Sequence, residues 1–213
     1  DSNFCSIIET LFSCPGRIII KGIGKSAIIG MKISATLNST GSKSIFLNLG
    51  DALHGDIGVV SIDDIVICIS KSGESNEIEL LASHLKNINV KLIGITCMRD
   101  STLIKVSDHH IHTKIEREAC HNNLAPTTST ACHLAIGDAI AMTLQKLKGF
   151  TPKDFNSYHP SGNLGRRLNL TLDNLIDSKR KPGVNSTSSF FDVINEISSN
   201  MYGATAVVNK KNI

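Results

Sequence analysis

The chain predicts an α/β fold with a five-stranded parallel sheet, helices on both faces and a three-layer αβα arrangement. Two observations carry this. Short β-branched runs alternate with helical segments from Arg17 to Lys148, and several of those runs lead into Gly- or Ser-rich turns that open the next helix. Strands joined through helical crossovers pair in parallel and are covered on both sides, and ligands then sit outside their carboxyl ends.

The elements follow in order. Ser6–Phe12 ends a helix that Cys14-Pro15-Gly16 breaks. Arg17–Lys21 (RIIIK) is the first strand, and Gly24–Thr40 is a helix with apolar positions at Ile28, Ile29, Met31, Ile33 and Ala35. Ser44–Leu47 and Ile65–Ile69 are the second and third strands, and Glu77–Leu85 lies on a helix. Val90–Thr96 is the fourth strand, Ser101–Val106 a short helix, and His109–Thr113 the fifth strand. Thr128–Lys148 is a long amphipathic helix closed by Gly149. Composition changes after Arg167. A polar loop, KRKPGVNSTSS, precedes a helical stretch at Phe190–Ser199 and a strand-like run at Ala204–Val208.

Composition narrows the function. Apolar residues make up 41% of the 213 residues and charged residues 19%, enough for a core and too little charge for disorder. With no Trp and 4% aromatics, a base-stacking nucleic-acid surface is excluded. The net charge of +3 carries no basic run and leans toward small anions. No apolar stretch is long enough to cross a bilayer, so no membrane partner is expected. Six cysteines at 5, 14, 68, 97, 120 and 132 form no CxxC pair and read as reduced thiols of a cytoplasmic protein. A chain that starts at Asp1 suggests that the true N-terminus lies upstream.

The most informative segment is Ser70-Lys71-Ser72-Gly73-Glu74-Ser75. It ends a buried-type strand and opens a helix, offering hydroxyls and backbone N–H groups beside a positive helix end. By itself the same segment also makes a polar βα turn with helix caps. Gly22-Ile23-Gly24-Lys25-Ser26-Ala27 matches a dinucleotide fingerprint, but the acid expected after the second strand is absent. With Ile19 in place of a glycine it is not a P-loop either. It reads as a tight turn bringing Lys25 and Ser26 to a small anion. His54, between Asp51 and Asp56, suits a proton shuttle or an exposed loop. Glu116 and Glu118 follow the fifth strand, and at most one is expected to face a shared pocket. The hydroxyls of Thr127–Thr130 mark a helix start. His159 lies beyond the last helix of this domain, placed either on the surface or against a neighbouring subunit. Cys120-His121 and Cys132-His133 lack zinc-site spacing.

In order, GIGKS (22–26), ALHGD (52–56), SKSGES (70–75), EREAC (116–120), LAPTTSTA (124–131), GDAIA (137–141) and HPSGNLGRRL (159–168) resemble the sugar isomerase (SIS) domain. More narrowly, they resemble the D-arabinose-5-phosphate isomerases. The resemblance implies a flavodoxin-like SIS domain over residues 1–168. It also implies an incomplete first CBS motif over 169–213, opening with Leu170–Ile176. It implies interconversion of D-ribulose 5-phosphate and D-arabinose 5-phosphate, supplying Kdo for bacterial lipopolysaccharide or capsule. A closely similar isoform associated with glucitol metabolism runs the same reaction. The implied catalytic set is Lys25, His54, Glu77, Glu118 and His159. The implied substrate and phosphate contacts are Ser26, Gly41, Ser42, Ser70, Ser72, Ser75, Lys114 and Glu116. Relatives assemble as tetramers with sites near subunit interfaces, and His159 fits a contribution in trans. Where many relatives carry a metal-associated His this chain has Asn48, a poor replacement for imidazole. No metal or cofactor is therefore expected. The chemistry needs a carbon base, an acid/base for the oxygens and a dianion anchor. A desolvated carboxylate with a raised pKa suits the base, with Glu118 slightly favoured over Glu77. The competing reading is a non-catalytic sugar-phosphate sensor; a nicotinamide-binding domain is disfavoured by the missing ribose-binding acid.

Overall fold

The computed structural model describes residues 2–48, 50, 55–159 and 181–209. His54 and the segment 160–180, with the expected CBS opening at Leu170–Ile176, lie outside the described residues. The chain divides into two units, Asp1–Pro160 and Ser161–Ile213.

In the first unit the elements run α1 (Ser2–Phe12), β1 (Ile18–Gly22), α2 (Lys25–Ser39), β2 (Ser44–Asn48) and a 3-10 turn (Asp56–Val59). They continue as β3 (Ile65–Ser70), α3 (Asn76–Asn87), β4 (Lys91–Thr96), α4 (Thr102–Val106), β5 (His109–His112), α5 (Thr128–Leu147) and α6 (Pro152–Tyr158). The five strands pair in the order β2-β1-β3-β4-β5, all parallel. This is the flavodoxin-like order, whose direction of winding reverses between β1 and β3.

Alternation along each strand builds the two faces. Ile18, Ile20, Ile65, Ile67, Ile69, Ile93 and Ile95 share a core with residues of α1, α2 and α5, among them Ile7, Leu11, Ile33, Leu37, Ile140 and Leu144. Ile19, Val66, Cys68 and Leu92 share the other with Ile78, Leu81 and Leu85 of α3 and Leu103 of α4. Burial on both faces is why the strands read as unbroken apolar runs. At the amino ends, Asp64 accepts from the Arg17 backbone N–H at 2.8 Å and from its guanidinium Nη2 at 2.9 Å. The hydrogen bonds of Arg17 hold the Asp64 carboxyl below its ordinary pKa despite burial.

Two elements escaped the sequence reading. Between Gly149 and His159 lies α6, started by a reciprocal Thr151–Asp154 capping box with Pro152 inside its first turn. In the second unit, β6 (Gly183–Asn185) falls in the polar stretch read as loop and pairs in parallel with β7 (Ala206–Val208). Between them lies α7 (Phe190–Asn200).

Lys21 breaks the apolar pattern. It is fully buried on β1, directly across from Cys68 of β3, and its Nζ has no hydrogen-bond partner among the described residues. Burial pulls its pKa down to about 8, with Cys68 and Asp56 opposing weakly. A lysine whose folded pKa lies below its unfolded value favours unfolding wherever the unfolded chain holds the extra proton. Stability from this residue is therefore lowest below pH 8 and recovers as pH rises toward the ordinary lysine value of 10.5. Lys21→Met is expected to stabilise the fold at pH 7 by on the order of 1–3 kcal/mol. It should also flatten the rise in stability above pH 8, as urea unfolding across pH 7 to 10 will show.

Candidate active site

The site grows from the carboxyl ends of β1, β3 and β5. Gly22 pairs with Ile69 across β1 and β3, so the Gly22–Lys25 turn and the serine loop stand side by side where the winding reverses. Lys25 is exposed and Ser26 half-buried at the start of α2, whose N-cap Gly24 supplies no side-chain cap. Ser70 Oγ accepts from the Gly73 N–H at 3.0 Å, and Ser72 Oγ accepts from the Glu74 N–H at 3.3 Å. Gly73 is required here: its φ is +67° and a Cβ would lie 2.5 Å from Ser101 Oγ. The Lys71 carbonyl accepts from the Cys97 N–H at 3.0 Å and from Thr96 Oγ1 at 3.1 Å, which pins the loop to the end of β4.

Ser75 is the N-cap of α3 yet makes no side-chain cap bond, so its hydroxyl does not occupy the positive end of this helix. Glu74 turns away and accepts from the Thr102 N–H at 2.9 Å and Thr102 Oγ1 at 2.6 Å, capping α4 instead. Glu77, half-buried in the first turn of α3, is held below the ordinary carboxylate range by its own backbone N–H and by the Ser75 side chain.

Glu118 is fully buried and Glu116 exposed, although residues two apart in an extended chain face the same way; the chain leaves β5 before this point and bends at Glu116. Glu118 caps α5. Oε2 accepts from the N–H groups of Thr127 at 2.8 Å and Ser129 at 3.1 Å. Oε1 accepts from Ser129 Oγ at 2.6 Å and pairs with Lys71 Nζ at 2.8 Å. Burial alone would raise its pKa, but these donors together outweigh it and hold the carboxyl far below its ordinary value. This corrects the expectation of a raised pKa and of Glu118 as the favoured base: its lone pairs are already occupied. Behind it, Cys97 Sγ lies 3.2 Å from Thr113 Oγ1 and 3.5 Å from Nε2 of buried His133. Desolvation lowers the His133 pKa to about 4, leaving it neutral at pH 7.

The expected site residues divide between the two ends of the sheet. Lys25, Ser26, Ser70, Ser72, Ser75, Glu77, Lys114, Glu116 and Glu118 all lie at or beyond strand carboxyl ends. Gly41 and Ser42 do not: they join α2 to the amino end of β2. Ser42 Oγ accepts from Lys148 Nζ at 2.9 Å, and a Cβ on Gly41 would meet the Phe150 ring at 2.5 Å. His159 is at the same end, its Nδ1 2.9 Å from the Phe155 carbonyl oxygen and its ring stacked on Phe155 at 4.0 Å. The 20 residues of α5 separate the two groups by about 30 Å. Within one chain, then, Gly41, Ser42 and His159 do not join the serine loop. Asn48 Oδ1 accepts from the Gly50 N–H at 3.0 Å. Among the described residues no three His, Cys, Asp or Glu side chains converge on a point.

Sequence reasoning missed Lys71, Cys97 and His133. Lys71 sat inside the quoted loop, but nothing in the sequence tells which way its side chain turns. A cleft of about 650 Å³ beside the loop is lined by Lys71, Ser72, Glu74, Cys97, Arg99 and Ser101, among others.

The SIS domain family matches residues 11–143. The chain belongs to the SIS domain family. Arabinose 5-phosphate isomerase KdsD of Escherichia coli K12 is 42% identical over 208 residues, covering 97% of this chain and 63% of that protein. KdsD of Salmonella typhimurium LT2 is 41% identical with the same coverage. The chain thus spans somewhat under two thirds of the length of these relatives. A solved structure from E. coli CFT073 in complex with arabinose 5-phosphate superposes with a TM-score of 0.73 at 42% identity, over 75% of this chain and 85% of that one. The Vibrio vulnificus NanR protein complexed with ManNAc-6P shares the fold, with a TM-score of 0.61 at 18% identity over 80% of this chain and 62% of that one.

In this SIS domain, Glu118→Ala removes a buried acceptor from five donor groups, the Thr127 and Ser129 N–H groups and hydroxyls and Lys71 Nζ, and should cost about 3–5 kcal/mol in urea unfolding at pH 7. Because the folded pKa lies below the unfolded one, this stability is fully present above the ordinary carboxylate range. It is lost as pH falls. Wild-type stability should therefore drop between pH 5 and 3 more steeply than that of Glu118→Gln. Parallel slopes would show that the carboxylate is not held as described.

Proposed function

We propose that this SIS domain is an aldose–ketose isomerase interconverting D-ribulose 5-phosphate and D-arabinose 5-phosphate through a cis-enediol. The observation that carries the reading is 42% identity to an arabinose 5-phosphate isomerase across 97% of the chain. The positive N-terminal end of α3 and the loop of Ser70, Ser72 and Ser75 suit a phosphate dianion, with Ser26 alongside.

Glu77 is the better base. A base must be ionised, have a free lone pair and reach the bound sugar. Glu77 is ionised at neutral pH and half-exposed one turn into α3, whereas Glu118 is saturated. In the ketose-to-aldose direction Glu77 takes a proton from C1 while the C2 carbonyl oxygen gains one. The enediol then loses its O1 proton and receives a proton at C2. The exposed ammonium of Lys25 stabilises the enediolate oxygens, and His54 serves the oxygen proton transfers. Lys114 and Glu116, exposed after β5, meet the sugar hydroxyls.

Gly41, Ser42 and His159 reach such a site only from another copy, which supports a homo-oligomer, a tetramer in our reading, with His159 donated in trans. We place the enzyme in the bacterial cytoplasm, supplying arabinose 5-phosphate for Kdo. No helix among the described residues is long and apolar enough to cross a membrane. We assign residues 169–213 to the start of a CBS module. A βαβ element with Phe190 and Phe191 79% and 70% exposed on α7 is what a fragment of a larger module presents.

Turnover of D-ribulose 5-phosphate without added cofactor tests the reading. Binding without turnover would instead make the domain a sensor. Glu77→Gln should lower kcat by at least about a hundredfold with the fold intact. Neither Glu77→Gln nor His159→Ala should be active alone. Mixed and reassembled, they should recover activity through sites that take wild-type Glu77 from one chain and wild-type His159 from the other. No recovery in verified hybrids would exclude donation in trans.

A further inference from the structure

We infer that Lys71 supplies a fixed cation to the phosphate subsite and that Glu118 is the positioning residue that holds it there. The inference rests on the proposed function only in taking the serine loop as the seat of the phosphoryl group.

Three observations carry it. First, Lys71 lies between Ser70 and Ser72, and its side chain is 39% exposed while that of its partner Glu118 is 0% exposed. An ammonium has three N–H donors. One is directed at Glu118 Oε1 at 2.8 Å, two remain for another acceptor, and Lys71 lines a cleft together with Ser72. Second, both ends of the side chain are tied. The Lys71 carbonyl is held by Cys97 and Thr96, and the amine is held by a carboxylate that is itself fixed to the α5 N-terminus. A cation fixed before binding loses little side-chain freedom when the anion arrives. Third, the nearby acids do not compete for a second share of that amine. Glu74 is bonded to Thr102 at the start of α4, and Glu118 keeps its Thr127 and Ser129 donors whether or not Lys71 also contacts phosphate. Lys25, by contrast, is exposed and makes no hydrogen bond among the described residues, which leaves it to follow the sugar rather than anchor the phosphate.

Glu118 therefore has a role distinct from proton transfer. It joins the start of α5 to the serine loop through Lys71, so the geometry of the anion site depends on a residue that need not touch the substrate.

Titration calorimetry with inorganic phosphate, together with KM and kcat for D-arabinose 5-phosphate, tests this. Lys71→Gln leaves four Glu118 hydrogen bonds to α5 in place, so the fold should persist, checked by circular dichroism. Phosphate affinity should fall about 10- to 100-fold, as for loss of a charged hydrogen bond. KM should rise in step while kcat changes less than about threefold. Lys71→Arg should keep phosphate affinity within about threefold of wild type. Glu118→Gln should weaken phosphate binding in the presence of an intact Lys71, which a purely helix-capping role would not do. Unchanged phosphate affinity in Lys71→Gln, or failure of Lys71→Arg to retain it, overturns the inference. A wild-type chain that binds phosphate but turns over no pentose phosphate would remove the proposed activity and leave this subsite standing.

Discussion

The geometry of the site depends on one buried carboxylate. Glu118 meets the N-terminus of α5 with both oxygens and meets the serine loop through Lys71. The strands alone would leave these two connections as independent loops, because β3 and β5 are not neighbours in the sheet: β4 lies between them. The ion pair spans that gap. It is favourable because the helix end and a hydroxyl complete the coordination of the acid, so desolvation is compensated by more than a single counter-ion.

Much of the fold was legible in the sequence. Strands buried on both faces need unbroken apolar runs, and those runs sit where Ile18–Ile20, Ile65–Ile69 and Leu92–Ile95 form the sheet. Glycine and serine punctuation located the connections. What escaped notice was short: α6 is one capping box long in its signal, and β6 has only three residues in a polar stretch. The burial of Lys21 was not legible either, since a lysine at the end of RIIIK reads as a polar strand end.

The motifs located most of the candidate residues at one end of the sheet but said nothing of their roles. Glu118 is buried and Glu116 exposed, a split that comes from the bend at Glu116 and not from strand alternation, which would face both the same way. The direction of the Glu118 pKa was misjudged because burial pushes a carboxyl up while hydrogen bonds from a helix start pull it down. Only coordinates reveal how many donors converge. The position of Gly41 and Ser42 was equally hidden. A motif can be recognised without revealing which end of the sheet carries it, and here the Lys148 and Phe150 contacts place it at the end opposite the serine loop.

The way Glu74 and Glu118 are used has a further consequence. Both acids begin helices at the carboxyl ends of the strands. The donors at those helix starts hold both carboxyls below their ordinary pKa, so they keep their charge in mild acid and the helix starts stay tied to the sheet. Where strong acid does neutralise Glu118, the serine loop and the fold lose support together, because the same hydrogen bonds serve both.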